Sequence, residues 1–558
     1  MSQRITYSFL FLLITYLSGF SQVNPPAETG KKIQIIHADY TDFNEYEVPG
    51  AMILTGNIQA QHDSIYLSCN KAYFFQAENY IKLFGNVDIV QNDTLRLRSN
   101  YAEYNGLQQI AYAQGNVVMT SPDSQLNSEK VYYDRANGIA YYNEGATIRN
   151  KENTLKSKSG KYFTNDLKYE FRTSVVLTNP KTKIVTDHLD FYEVSGHSYL
   201  FGPSTITSDS NKIYTENGFY DTRLDQGKLV KNSHIIYDNR RIQADELYYD
   251  KAKGYFKGTN NVKVTDTVNK IVATSHLAEV YRKPTYDSIY MTKRPLIKTV
   301  SERDSAYFHA KNIVITGPDK ARILRGYKNA RMFREPDMSG ISDSLHYDQS
   351  KGLLQLIGKP VLFKGESQLT GKYIHLINDV ITEKLDSLKV LDNAFVIERD
   401  SLGTGYNQAK GLNMYGKFVD NKIKTIDLIQ NAEMIYFIYD DLELMGIDKS
   451  ICSHIQLELE ENKIQTATRI KNPSSITYPP ENLPEAGRVL PGFLWRGDEK
   501  INSIEDVIPK DEDLSKEELK EATPIELKTE TDKPLPVSKE TKNFKRKGNP
   551  TNTIKKTI

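Results

Sequence analysis

Hydrophobic and polar residues alternate with a period of two along most of the chain, and the alternating stretches come in pairs. The clearest pair runs from Leu97 to Tyr104, breaks at Asn105-Gly106, and resumes from Ile110 to Met119. Period-two runs separated by Asn-Gly predict two antiparallel strands joined by a hairpin. The second half of this unit recurs as Thr55-Gly56-Asn57-Ile58, as Phe84-Gly85-Asn86-Val87 and, more loosely, as Gly258 with Asn261-Val262. Its first half recurs from Leu126 to Asp134 and from Ile242 to Asp250. The glycines Gly56, Gly85, Gly115, Gly145, Gly202 and Gly258 fall about 29 residues apart, with a degenerate copy skipped before each of the last two. Such self-similarity indicates a stacked array of supersecondary units rather than a compact enzyme core. The expected fold class is all-β: a solenoid-like array of antiparallel hairpins over residues 33–469, roughly fourteen units of two strands.

Both ends depart from this pattern. Arg4 precedes the apolar run Phe9 to Ile14, which fades into Ser18-Gly19-Phe20-Ser21. A basic start, a short apolar core and small residues predict a signal peptide over residues 1–21 and a periplasmic location. A retained anchor is the alternative, although the run falls short of the roughly 20 apolar residues of a membrane-spanning helix. After Lys471 the composition turns to Pro, Lys and Glu, with runs such as Lys516-Glu517-Glu518-Leu519-Lys520, which predicts a disordered tail over residues 470–558. One patch stands out there, Leu490-Pro491-Gly492-Phe493-Leu494-Trp495, which holds the single Trp. It reads equally as a docking peptide for a partner and as a segment that folds back to cap the last repeat. The basic end, Lys545-Arg546-Lys547 and Lys555-Lys556, reads as a solvated tail, with contact to anionic lipid or phosphate as the alternative.

Composition adds little chemistry. Hydrophobic residues make up 39% of the chain, and Tyr (36) outnumbers Phe (21), as suits short strands with one wet face. The net charge of +1 gives no reason to expect a nucleic-acid partner. The two cysteines, Cys69 and Cys452, lie far apart in a linear array, so they are expected to be buried, unbridged and unable to build a zinc site. Recurring Asp-Ser pairs (Asp63-Ser64, Asp287-Ser288, Asp343-Ser344, Asp386-Ser387) invite a nucleophile reading. A catalytic serine is needed once, however, and a repeated pair reads as turn punctuation. The acids at strand starts, Asp39, Glu129, Asp187, Glu216 and Asp245, recur with the repeat and read as an outward, solvated ladder. Histidines are scattered, with no metalloprotease spacing, phosphate loop or nucleophile elbow. No catalytic residue, metal or cofactor is expected.

The faces of the strands suggest another use. One face carries Leu83, Val87 and Ile89, or Ala113, Val117 and Met119, and later Val262 and Val264. If successive hairpins fold over into two facing sheets, these residues line an internal groove that Gly and Ala keep from filling, with room for an alkyl chain. The alternative is a packed core, as in an ordinary β-sandwich.

Ser99-Asn100-Tyr101-Ala102-Glu103-Tyr104 with Gly115-Asn116-Val117 resembles the OstA/LptA-type lipopolysaccharide-transport family. Asn70 with Gly85-Asn86-Val87, and Asp245 with Asn261-Val262, carry the same resemblance. It implies an elongated, twisted β-jellyroll whose interior holds the acyl chains of lipid A, with units joined head to tail by strand addition. The partners so implied are lipopolysaccharide, other jellyroll transport proteins and an outer-membrane translocon. Ile35 and His37 at one end, and Ile455 and Leu457 at the other, are the candidates for end-strand pairing. Exposing an acyl chain to water costs about 0.8 kcal/mol per methylene, so a dozen carbons lose on the order of 10 kcal/mol, and a covered apolar track removes that barrier. The competing functions are an envelope scaffold with a dry, full interior and a β-solenoid carbohydrate-active enzyme.

Overall fold

The strand Ile110–Thr120 shows how the repeat is built. It runs unbroken through Gly115-Asn116, yet both residues are left-handed, with φ of 80° and 50°. Two successive left-handed residues bend the strand at its middle. On the near side of the bend Ile110 to Gln114 pairs with Asn105 to Tyr101 and with Asp134 to Lys130. On the far side, Val118 to Thr120 pairs with Arg98 to Arg96, and Val117 to Thr120 with Ser128 to Gln125. The Gly-Asn-Val signature therefore marks a corner in mid-strand, not the end of a hairpin. The hairpin turn itself lies where Asn105-Gly106 predicts it, between Leu95–Asn105 and Ile110–Thr120.

In this computed structural model residues 32–510 are described, except 93, 301–304 and 462. The expected signal peptide and the chain beyond 510 lie outside the described residues. The chain divides into two compact units, one ending at Pro180 and one beginning at Lys181. Both are all-β with antiparallel pairing, as the alternation predicts.

Corners repeat in each unit with the same bonds. In the first, the Asp39 N–H donates to the Gly56 carbonyl (3.0 Å) and the Asn57 amide donates to the Asp39 carboxylate (2.9 Å). In the second, Asp245 does the same with Asn260 (3.0 Å) and Asn261 (2.9 Å). Asn232 likewise donates to Glu216 (2.9 Å), and with Lys231 it holds that carboxyl below the ordinary range. The recurring strand-start acids therefore brace corners. The Asp-Ser pairs separate on the same ground. Asp63 sits in a turn, but the Asp343 N–H bonds the Gly358 carbonyl at a corner (2.9 Å), and Asp386 lies within the strand Leu385–Arg399.

A small residue stands immediately before the bracing one; at Asp39 and Asp245 it is Ala38 and Ala244, and elsewhere its hydroxyl bonds the carbonyl two residues on: Ser99 to Tyr101 (2.9 Å), Ser128 to Lys130 (3.0 Å), Thr215 to Asn217 (2.6 Å) and Ser275 to Leu277 (3.0 Å). Cys69 and Cys452 occupy this position too, bonding Lys71 and His454 at 3.2 Å, and both are buried and unbridged. Burial pushes the Cys69 thiol up to about 11.

Bending at the corners folds each unit into two layers. In the first unit the far ends of the layers meet where the Tyr104 hydroxyl lies 2.7 Å from His62 Nδ1 and the Tyr133 hydroxyl 3.3 Å from Gln91. The space between layers is filled by Leu54, Ile58, Ile81, Leu83, Val87, Ala102 and Val117, all nearly or wholly buried. Small residues gather at the apex, where the layers converge: a Cβ on Gly258 would stand 3.1 Å from Val262, just across the bend of the same strand.

The tail expected from residue 470 is corrected in its first part. The strand Ser474–Tyr478 adds to the array, and residues 480–507 pack against the second unit through short 3-10 turns. Its scattered apolar residues, Leu483, Leu490, Ile501 and Val507, are buried, which supplies the apolar contact that Pro/Lys/Glu composition hides.

Corner conformation predicts opposite outcomes at two sites. Gly115→Ala places a Cβ 2.9 Å from the Asn100 side chain in a left-handed residue, and is expected to cost about 1–2 kcal/mol or more. Lys328 bears the same strain at φ 66°, so Lys328→Gly is expected to stabilise by up to about 1 kcal/mol. Urea midpoints of the two variants against the parent chain measure both.

Candidate functional site

The open side of the folded layers, opposite the corners, decides what the interior can hold. In the second unit it is first closed by a buried ionic latch. Arg240 donates to Asp266 and Asp287 (2.9 Å each) and to Asp319, while the Tyr237 hydroxyl donates to Asp287 (2.9 Å). Burial pushes the Asp319 carboxyl up, but Asn269, Arg240 and Arg322 more than offset it and hold the group below its ordinary range. Asp287, which the sequence reading treats as turn punctuation, is thus part of this latch. Further along, Arg334 donates to Asn378 (2.9 Å).

Beyond that point the strands lengthen. Strands of 11 residues, such as Met338–Asp348, give way to Leu385–Arg399 (15 residues), Lys422–Asp440 (19) and Glu443–Glu460 (18). Longer arms from a fixed apex enclose a wider wedge, and here the described residues enclose an apolar cavity of about 230 Å³. Leu388, Met414, Ile426 and Leu457 line it from one layer and Leu362, Leu369, Val396, Ala409 and Met434 from the other. An engineered cavity of about 150 Å³ lined by Leu, Ile and Phe stays dry and accepts benzene, so this one has room for a longer hydrocarbon.

The rim is asymmetric. Asp337, Lys364, Glu366, Ser367, Glu398 and Asn407 lie on one side, and Phe418, Ile423, Leu459 and Ile464, with Asn421 as the one polar residue among them, on the other. Burial pushes the Glu398 carboxyl up, and the Asn407 amide, 3.4 Å away, offsets this in part. Such a rim suits an amphiphile, with hydrocarbon inside and polar atoms along one lip.

The sequence-predicted groove residues lie elsewhere. Leu83, Val87, Ala113, Val117, Met119, Val262 and Val264 are buried on inward faces, and Ile89 is half-buried. None of them lines the cavity. Of the end-strand candidates, Ile35 is half-buried and His37 exposed on Gln34–His37, which pairs with Met52–His62. Ile455 and Leu457 are not on an end strand. Glu443–Glu460 is paired on both sides, so the array ends at Lys463–Ile470 and Ser474–Tyr478. Leu457 instead lines the cavity. Sequence reading missed the cavity because its lining residues look like any inward-facing positions; the lengthening of the strands was the available signal.

Comparison with known proteins locates the resemblance. Residues 30–187 match the family described as OstA-like protein. Among solved structures the chain is similar to LptH, the LptA homologous periplasmic component of the conserved lipopolysaccharide transport device from Pseudomonas aeruginosa. The identity is 14%, covering 25% of this chain and 95% of that one, with a TM-score of 0.20. No curated protein matches. Among the described residues no cluster of His, Cys, Asp and Glu is suited to a metal ion, and no helix is long and apolar enough to cross a membrane.

Glu398 gives this site a pH signature. A carboxyl whose folded pKa lies above its unfolded value of about 4.3 keeps a proton that the unfolded chain has lost, so stability falls as pH rises through that interval. Glu398→Gln is expected to raise the melting temperature above about pH 5 and to change it little below about pH 4. Melting curves across that range, parent against variant, provide the check.

Proposed function

We propose that this protein is a periplasmic, non-enzymatic carrier or bridge segment of lipopolysaccharide transport that shelters acyl chains between the two layers of its fold. The observation that carries the reading is the apolar cavity with a polar lip in the second unit. The OstA-like match over residues 30–187 supports it. Covering the chains removes a cost of about 0.8 kcal/mol per methylene with no bond made or broken. In the same reading the exposed edge Gln34–His37 and the terminal strands Lys463–Ile470 and Ser474–Tyr478 add to jellyroll partners, and the route ends at an outer-membrane translocon. An envelope scaffold is the second reading. It is favoured by the interior of the first unit, where Leu83, Val87 and Val117 leave about 1% or less of their surface exposed.

Photo-crosslinking in a Gram-negative cell separates the two. A photoreactive residue at Met414, inside the cavity, is expected to give a lipopolysaccharide adduct, and one at the outward-facing Lys130 is not. Ala409→Trp, which fills the cavity, is expected to lower the Met414 adduct at least about tenfold. Absence of lipid adducts at both Met414 and Val117 would establish the scaffold instead.

A further inference from the structure

The segment after the last strand lies along the outer face of the layer whose inner face walls the cavity. Two glutamines hold it there. Gln408 donates to the Arg488 carbonyl (2.9 Å) and accepts from the Leu490 N–H (2.8 Å). Gln368 does the same with the Leu494 carbonyl (2.8 Å) and the Arg496 N–H (2.6 Å). Each side-chain amide thus bonds the carbonyl of one residue and the N–H of the residue two further on, as a neighbouring β-strand would. Both glutamines are about 2% exposed or less. A third tie is the Ile501 N–H on the buried Ser339 hydroxyl (3.3 Å). Leu490, Phe493 and Trp495 pack between these ties on Phe395, Ile397, Ile435, Phe437 and Tyr406.

These ties are also placed against the cavity. Gln368 stands between the lining residues Ser367 and Leu369, Gln408 between Asn407 and Ala409, and Ser339 next to Met338. The segment also reaches the rim: Lys500 Nζ donates to the Gly365 carbonyl (2.7 Å) and lies 3.8 Å from Glu366. Gly365 and Glu366 form the tip of a hairpin whose strands, Val361–Lys364 and Ser367–Thr370, are only four residues each. Both strands are paired on their other sides too, with Met338–Asp348 and Leu385–Arg399, so it is the two tip residues at the rim that Lys500 holds.

We propose that the segment from Pro480 to Val507 is a strap that controls access to the cavity. This rests on the carrier reading above and adds its regulation. While seated, the strap fixes the hairpin tip at the rim. When it lifts, the tip and the wall behind it loosen and an acyl chain enters or leaves. The strap's own side chains, outside the cavity, are where this control is adjusted.

The test uses the full chain and a fluorescent fatty acid, cis-parinarate, followed by stopped flow. Trp495→Ala, which loosens the strap, and Lys500→Ala, which removes only the tie to the rim, are each expected to speed both association and dissociation by about tenfold. The dissociation constant is expected to change much less. Melting and far-ultraviolet dichroism confirm that the variants are folded, and Lys500→Ala serves if Trp495→Ala is not. Probe binding with unchanged rates in both variants would overturn the strap and leave the carrier reading standing. Binding by the variants alone would support the strap in its tightest form. Failure of parent and variants alike to bind would overturn the carrier reading, and the strap with it.

Discussion

The fold depends on a bend in the middle of alternate long strands, such as Met52–His62, Tyr80–Gln91 and Ile110–Thr120. Two left-handed residues turn the backbone, and the acid or amide of the preceding strand fixes them with one bond to the main chain and one to the side chain, as Asp39 and Asp245 do. Without the bend, an alternating sequence of this length would form a flat sheet with an exposed apolar face. With it, the long strands contribute to both layers, and the layers close over a shared interior. The left-handed conformation costs about 1–2 kcal/mol for a residue with a side chain. Glycine at Gly56, Gly85 and Gly115 avoids that cost, and Asn, which tolerates the conformation, fills the second place. At Lys293-Arg294 and Lys328-Asn329 the cost is borne, and pairing on both sides of the bend holds the residues in place.

A fixed apex makes the rest of the geometry follow from strand length. Near the bend Ala, Ser, Thr and Cys recur opposite aliphatic residues: Cys69 faces Ile58, Ser128 faces Val117, and Ala102 pairs with both Leu83 and Ala113. Short arms bring the far ends of the layers into contact, through Tyr104 and His62 in one unit and through Arg240 and its carboxylates in the other. Long arms leave room between them, and the cavity lies among the longest.

The period of the repeat was legible because glycine marks many of the corners, and the all-β, antiparallel fold followed from the alternation. What the glycine does was not legible. Gly-Asn at a mid-strand bend answers a need for positive φ, whereas in the turn after Asn105-Gly106 the left-handed residue is Gln109 and a Cβ on Gly106 would instead meet Asn79; only the pairing on either side tells the two places apart. The interval from Ile271 to Phe333 looks irregular for the same reason: its corners are Lys-Arg and Lys-Asn, with no glycine to mark them. The small residues near Gly115 suggested a hollow groove in the first unit, whereas Ala102 and Ala113 fit the narrow apex. Of the strap, the patch Leu490 to Trp495 was legible, since folding back was one of its two readings, but its other apolar residues follow no period, and Gln368 and Gln408 show their role only when a second chain segment lies against them.

Both units must also settle what covers the outside of a layer. Antiparallel sheets commonly leave one face to water. In the first unit that face carries the half-buried rings of Tyr73, Phe84, Tyr101, Tyr112, Tyr132 and Tyr141, one per strand, with neighbouring centroids 4.9–6.4 Å apart. The rings pack on one another while several hydroxyls bond polar neighbours such as Glu103 and Gln114. In the second unit the corresponding wall is greasy on both sides, with Val396 facing the cavity between the outward Phe395 and Ile397. A layer without a wet face needs a cover, and the strap is that cover. A wall able to line a hydrocarbon cavity and the segment that shields its back are therefore one structural commitment.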